Sequence, residues 1–129
     1  MQLEWQPAAG RRAERAARPA VDDETMRQFL EATVAGVFAL PVGELSRPTR
    51  RQAPVAFGRQ VAMYLAHVAL GLTLTEVGRL FGRDRTTAAH ACRVVEDRRD
   101  DPAIDAQLTA IELAVAAWFG LVAGRPEAR

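Results

Sequence analysis

Along most of this chain apolar residues recur at spacings of three and four, the period of a helix with one face turned to a core. Met26, Phe29, Leu30, Thr33, Val34, Val37 and Phe38 form the first such stripe. Asp22 and Asp23 precede it as N-caps, and Glu24 in the first turn suits the positive end of the helix dipole. The stripe predicts a helix to about Ala39, stopped by Pro41, with a single turn at Val42–Leu45. A second stripe over Val55–Leu70 sets Val61, Tyr64, Leu65 and Val68 to one side, while Ala62, Ala66 and Ala69 let neighbours approach closely. Gly71 ends it.

Thr73 then caps a short helix, with Glu76 three residues on completing a capping box, and Leu74, Val77, Leu80 and Phe81 as its inner face. Gly82 makes a turn and Asp84 caps the next helix, over Arg85–Asp97. Its small residues Ala88, Ala91, Cys92 and Val95 face inward, while Arg85, Thr86, Ala89, His90 and Arg93 face outward. Asp100, Asp101 and Pro102 start a last helix, with Ile104, Leu108, Ile111, Val115, Trp118 and Val122 on one face. Leu113, Ala117 and Leu121 carry apolar character round its back, and Gly124 and Pro126 end it. The pattern predicts an all-α domain of five or six helices over residues 21–123, built around a helix-turn-helix. Residues 1–20 and 124–129 are expected to be tails, the first of them disordered.

Charge changes the picture. The formal net charge is +1, but residues 47–99 hold ten arginines against Glu76, Asp84, Glu96 and Asp97, or 10 − 4 = +6. The remaining seven arginines meet twelve acids, or 7 − 12 = −5. Such asymmetry points to one basic face for a polyanion, with acidic flanks away from it. All seventeen basic residues are arginine, which excludes a Walker A loop and its lysine. Cys92 is the single cysteine, so no internal disulfide forms and a reducing, cytoplasmic setting fits. No continuous apolar run reaches the roughly 18–20 residues of a membrane span, and no apolar core of a secretory signal follows the N-terminal arginines.

The proline-bounded loop Ser46–Pro54, reading SRPTRRQAP, is either a solvated connector or an arginine grip on phosphates or a minor groove. Arg85, Thr86 and Thr87 put donors and methyls at the start of a helix whose short side chains allow deep entry into a major groove. Arg47, Arg50, Arg59, Arg83 and Arg93 are the candidates for phosphates, with His67 and His90 beside them. His67, His90 and Cys92 lack the spacing of a metal site, and no nucleophile–base constellation is present, so neither metal, cofactor nor enzyme activity is expected. Leu3 and Trp5 in the first tail, and Trp118, Phe119 and Leu121 in the last helix, are candidates for docking a protein partner. For the last helix the alternatives are folding back over the first helix or an apolar face that dimerises or docks a partner.

Val21–Leu113 resembles the C-terminal DNA-binding domain (domain IV) of the bacterial replication initiator DnaA. RQVAMYLA, LTLTEVGRLFGRDRTT and HACRVVE carry the resemblance. It implies a Trp-repressor-like helix-turn-helix fold that reads DnaA boxes in double-stranded DNA. By that resemblance Arg51 enters the minor groove, Leu74 and Thr75 meet thymine methyls, and Asp84 accepts from a base amino group. Thr86 and Thr87 then contact bases and phosphate. Departures fall at Arg85 in place of the family histidine, Ala88 for an aliphatic residue, Thr75 for proline, His67 for lysine, and Phe57-Gly58 for Arg-Pro. DNA binding is expected to persist, weaker or less selective for the standard box, with altered base preference. The family sets an ATPase module before this domain and these residues contain none, so the expectation is a free-standing, nucleoid-associated regulator of replication initiation or transcription. The other reading is an adaptor that modulates DnaA or its regulators.

Overall fold

The protein is described by a computed structural model covering residues 21–40 and 53–123. Among these residues five helices run in order: α1 Asp23–Phe38, α2 Ala53–Val68, α3 Leu74–Phe81, α4 Arg85–Arg98 and α5 Pro102–Ala123. The single turn expected at Val42–Leu45, the loop with Arg47, Arg50 and Arg51, and both tails, including Leu3 and Trp5, lie outside them.

The first helix starts as its sequence dictates: the Asp22 carboxylate accepts from the Thr25 N–H at 2.8 Å. It stops before Pro41, however, because Ala39 turns left-handed at φ 57°. The Leu40 N–H then donates to the Ala35 carbonyl at 2.8 Å. Met26, Leu30 and Val34 are buried, as the stripe requires, but Val37 is exposed. The buried line instead drifts to Ala35 and Glu31, since 3.6 residues per turn rotate it toward α2. Glu31 is 5% exposed and pairs with Arg27 at 2.9 Å, which offsets the cost of burying its charge.

α2 is the centre of the molecule, packed against α1, α3, α4 and α5. Val61, Ala62, Tyr64, Leu65 and Ala66 are all buried, so this helix is apolar nearly all round rather than on a single stripe. It begins two residues before the expected Val55 and unwinds through Ala69 and Leu70, whose N–H groups both donate to the Leu65 carbonyl. Gly71, at φ 76°, makes the left-handed stop. Phe57, where the resemblance expects a basic residue, joins an aromatic cluster. It meets the Phe38 ring edge-on at 6.0 Å, and the Arg98 guanidinium lies 4.4 Å above it.

α5 lies across α1 and α2 on Leu108, Ile111 and Val115, all buried. Trp118 stacks on Phe29 of α1, ring centroids 3.8 Å apart and planes within 11°. Val122, expected on this face, is 45% exposed, because α5 runs past the end of its neighbours. By length and composition alone Pro102–Val122, with mean hydropathy 1.3, is long and apolar enough to cross a membrane. Asp105, Gln107, Thr109 and Glu112 interrupt its apolar run. Three of those interruptions are anchors. Arg99, just past α4, donates to Asp105 Oδ1 at 2.6 Å, to Glu112 Oε2 and to Thr109 Oγ1, and so straps α5 down.

Candidate nucleic-acid interface

The helix-turn-helix is α3, the turn Gly82–Asp84, and α4. Local chemistry sets each boundary. The Thr73 N–H donates to Glu76 Oε1 at 2.8 Å and the Glu76 N–H to Thr73 Oγ1 at 3.1 Å, a complete capping box. Gly82 adopts φ 69° as the C-cap of α3. Asp84 Oδ1 accepts from the Thr87 N–H at 2.8 Å and opens α4. That bond, with the nearby amides of the first turn, holds the Asp84 carboxyl below the usual carboxylate range.

Gly78 is the positioning residue that spacing did not reveal. The Arg83 N–H donates to its carbonyl at 2.7 Å. A Cβ on Gly78 would sit 2.7 Å from the Arg83 carbonyl oxygen and 2.9 Å from Asp84 backbone atoms. Only a glycine lets the turn close so tightly over α3. A glycine in the middle of an eight-residue helix, where propensity disfavours it, was the signal available.

α4 then presents two faces. Ala88, Ala91 and Val95 are buried against α2 and α3. Cys92 is half-buried, and desolvation, with Glu96 nearby, pushes its thiol up to about 12. Opposite them Arg85, Thr86, His90 and Arg93 are exposed, with Ala89 between. Positions 86, 90 and 93 are four and three apart, so one continuous strip of donors and a methyl faces solvent. Thr75 is exposed at the start of α3; Leu74 is half-buried against the core, so only part of its side chain is presented.

The phosphate candidates separate in space. Arg83 is exposed in the turn, and Arg59 is half-buried on α2. His67 acts within the fold. Its Nδ1 lies 2.7 Å from the Leu72 carbonyl, so it donates there and ties the α2–α3 connection to α2. Arg99 leaves the basic face altogether. Burial opposes its charge, yet Asp105, Tyr64 and Glu112 hold its guanidinium protonated, with the Tyr64 hydroxyl accepting from it at 2.8 Å. Charge summed by segment counted Arg99 as basic surface and Asp105 and Glu112 as separate flanks; the fold pairs them. Conversely Arg27, counted with a flank, lines one cleft with Arg59, Arg79 and Arg83.

A short helix, a tight glycine turn and a second helix with a polar outer strip over a small-residue underside define the helix-turn-helix class. Within that class, residues 28–95 match the bacterial DnaA protein helix-turn-helix family, and the chain belongs to it. The chromosomal replication initiator protein DnaA of Thermomicrobium roseum is 38% identical over 94 residues, covering 71% of this chain and 20% of that protein. DnaA of Bordetella pertussis is 44% identical over 71 residues, 54% of this chain and 15% of that one. DnaA of Paraburkholderia phymatum is 41% identical over 80 residues, 61% and 15%. The chain thus spans about a fifth or less of the length of the curated relatives it matches.

Proposed function

We propose that this chain binds double-stranded DNA at DnaA-box-like sites on the nucleoid and acts in the control of chromosomal replication initiation or of transcription. The observation that carries it is the exposed strip of α4, Arg85, Thr86, His90 and Arg93, over an underside of Ala88, Ala91 and Val95. A helix so thin and so closely seated can put its first turn against base edges. Arg85, Thr86, Thr87 and Asp84 take the base edges in the major groove, Leu74 and Thr75 the thymine methyls, and Arg51 the minor groove. Arg47, Arg50, Arg59, Arg83 and Arg93 take phosphates, with His90 at the margin. The departure of Arg85 from the family histidine supports a shifted preference at one base pair, since arginine favours guanine O6 and N7.

A gel-shift comparing a DnaA-box duplex with a scrambled duplex tests this. Tighter binding to the box is expected; equal, negligible binding to both overturns the proposal. Replacing Arg85 or Thr87 should cost about 1–3 kcal/mol of discrimination at the base read.

A second reading, an adaptor for DnaA or one of its regulators, is favoured by α5. Leu113 and Leu121 are 68% and 73% exposed there. Of the other docking candidates on α5, Phe119 is half-buried against the core and Trp118, also half-buried, stacks on Phe29. Co-purification retained by Thr86→Ala but lost by Leu121→Glu supports this reading; co-purification of nothing overturns it.

A further inference from the structure

α5 lies wholly outside residues 28–95, the span of the family match, and the helix-turn-helix gives its outward side no role. Leu108, Ile111 and Val115 are buried on α1 and α2. On the opposite side Ala110, Leu113, Ala114, Ala117, Gly120 and Leu121 are exposed. At 3.6 residues per turn all six fall within about 60° of Ala117, so they make one continuous face. Leu113 and Leu121 are 68% and 73% exposed, and a Cβ added at Gly120 would meet nothing within 4 Å. Glu112 is the one charged residue in Ala110–Ala123, and Arg99 engages it away from this face. From Ala110 to Leu121 the outer face therefore carries neither a charge nor a hydrogen-bonding side chain.

We propose that this face is the contact between two copies of the chain, paired antiparallel about a two-fold axis at Ala117. The face reads nearly alike in both directions from that residue: Leu113 and Leu121 stand four residues away on either side, Ala114 and Gly120 three. A two-fold interface is isologous, the same patch meeting itself in reverse. The axis therefore sets Leu113 of one copy against Leu121 of the other, Ala114 against Gly120, and Ala117 against itself. Small side chains at the centre let the two backbones approach, so the leucines at both ends interdigitate. The same symmetry would bring any charge near the axis against its own copy, at a cost in repulsion. An uncharged face meets that requirement, and it gives a charged, unlike partner nothing to select. Area sets the strength. The face is roughly 17 Å long on a helix about 10 Å wide, well short of the about 800 Å² per partner in a stable complex, so the dimer is weak and concentration-dependent. α5 seats on α1 and α2, and α4 on α2 and α3, so the pairing uses none of the outer strip of α4. The consequence that one dimer carries two such strips rests on the proposed function; the pairing itself does not.

Sedimentation of the purified full chain, without DNA and over a wide range of concentrations, should show a monomer–dimer equilibrium. Leu113→Glu and Ala117→Glu should each leave a monomer at every concentration, with thermal unfolding of the dilute protein unchanged. Register is tested by thiol cross-linking with oxidised glutathione in a Cys92→Ala background. Ala117→Cys, on the axis, should cross-link to its own copy at least about tenfold faster than Ala106→Cys, which antiparallel pairing holds far from its own copy. Leu113→Cys should cross-link to Leu121→Cys when the two proteins are mixed. A monomer at the highest soluble concentration overturns the inference, as does equal cross-linking of Ala106→Cys and Ala117→Cys. A chain that stays monomeric in solution but sediments with phosphatidylglycerol vesicles, and loses this in Leu113→Glu, also overturns it and gives the face to lipid. A dimer with the expected cross-links that binds no duplex upholds the inference while the proposed function falls; box binding by a chain that never dimerises does the reverse.

Discussion

The Arg83 N–H donates to the Gly78 carbonyl at 2.7 Å, and the Arg83 carbonyl returns to within 2.7 Å of where a Gly78 Cβ would stand. Two residues five apart thus close the turn from both sides and aim α4. Gly78→Ala forces the turn outward, because backbone rather than a flexible side chain stands in the way. It should destabilise the domain by about 1–3 kcal/mol in urea unfolding and weaken DNA binding beyond that loss. Gly36→Ala is the opposite case: nothing lies within 4 Å of its added Cβ in the last turn of α1. There helix propensity alone acts, and a gain of roughly 0.5–1 kcal/mol is expected.

Tyr64 is the single tyrosine, so phenolate absorbance reports it alone. Its hydroxyl accepts from Arg99 at 2.8 Å and donates to Glu96 at 3.0 Å. Burial, then the Glu112 charge, raise its pKa from the ordinary value of 10.0. A raised folded value means that stability is fully present below the unfolded pKa and is lost as pH climbs through the folded one. Titration should therefore show a phenolate midpoint well above 10, rising together with unfolding. Arg99→Gln should cost roughly 1–3 kcal/mol by orphaning Glu112 and Tyr64. A midpoint at the ordinary 10.0 in the folded protein would exclude this network.

The Asp84 cap makes α4 sensitive to acid. Its folded pKa lies below the ordinary 3.8, the main cause being the Thr87 backbone N–H. The stabilisation is present above that unfolded value and is lost as pH falls through the folded one. Amide exchange at the start of α4 should accelerate below about pH 4 while the middle of α2 stays protected. Asp84→Asn keeps a capping acceptor and should remove the pH dependence.

The two sides of α5 should respond unequally. Trp118→Ala removes the ring stacked at 3.8 Å on Phe29 and should cost about 3–4 kcal/mol. Leu121, 73% exposed, has little packing to lose, and Leu121→Ala should stay within about 0.5 kcal/mol. Equal losses at the two positions in thermal unfolding would mean that Leu121 is covered.

Helix positions and caps were legible from the chain because their causes are local. The Thr73–Glu76 box, the Asp84 cap, the Gly71 and Gly82 stops and the Pro102 start each depend on atoms within a few residues. The two faces of α4 followed from spacing for the same reason. What the linear pattern could not show is which faces meet. Val37 and Val122 satisfied the period yet are exposed, because no neighbour reaches them. Charge counted by segment set Arg27 apart from Arg59, Arg79 and Arg83, and Arg99 apart from Asp105 and Glu112. Electrostatic energy depends on distance in space, which only the packing of α1 and α5 across α2 decided. The recognition helix could thus be read from its residues; its aim, set by the Gly78–Arg83 approach, belonged to the tertiary structure.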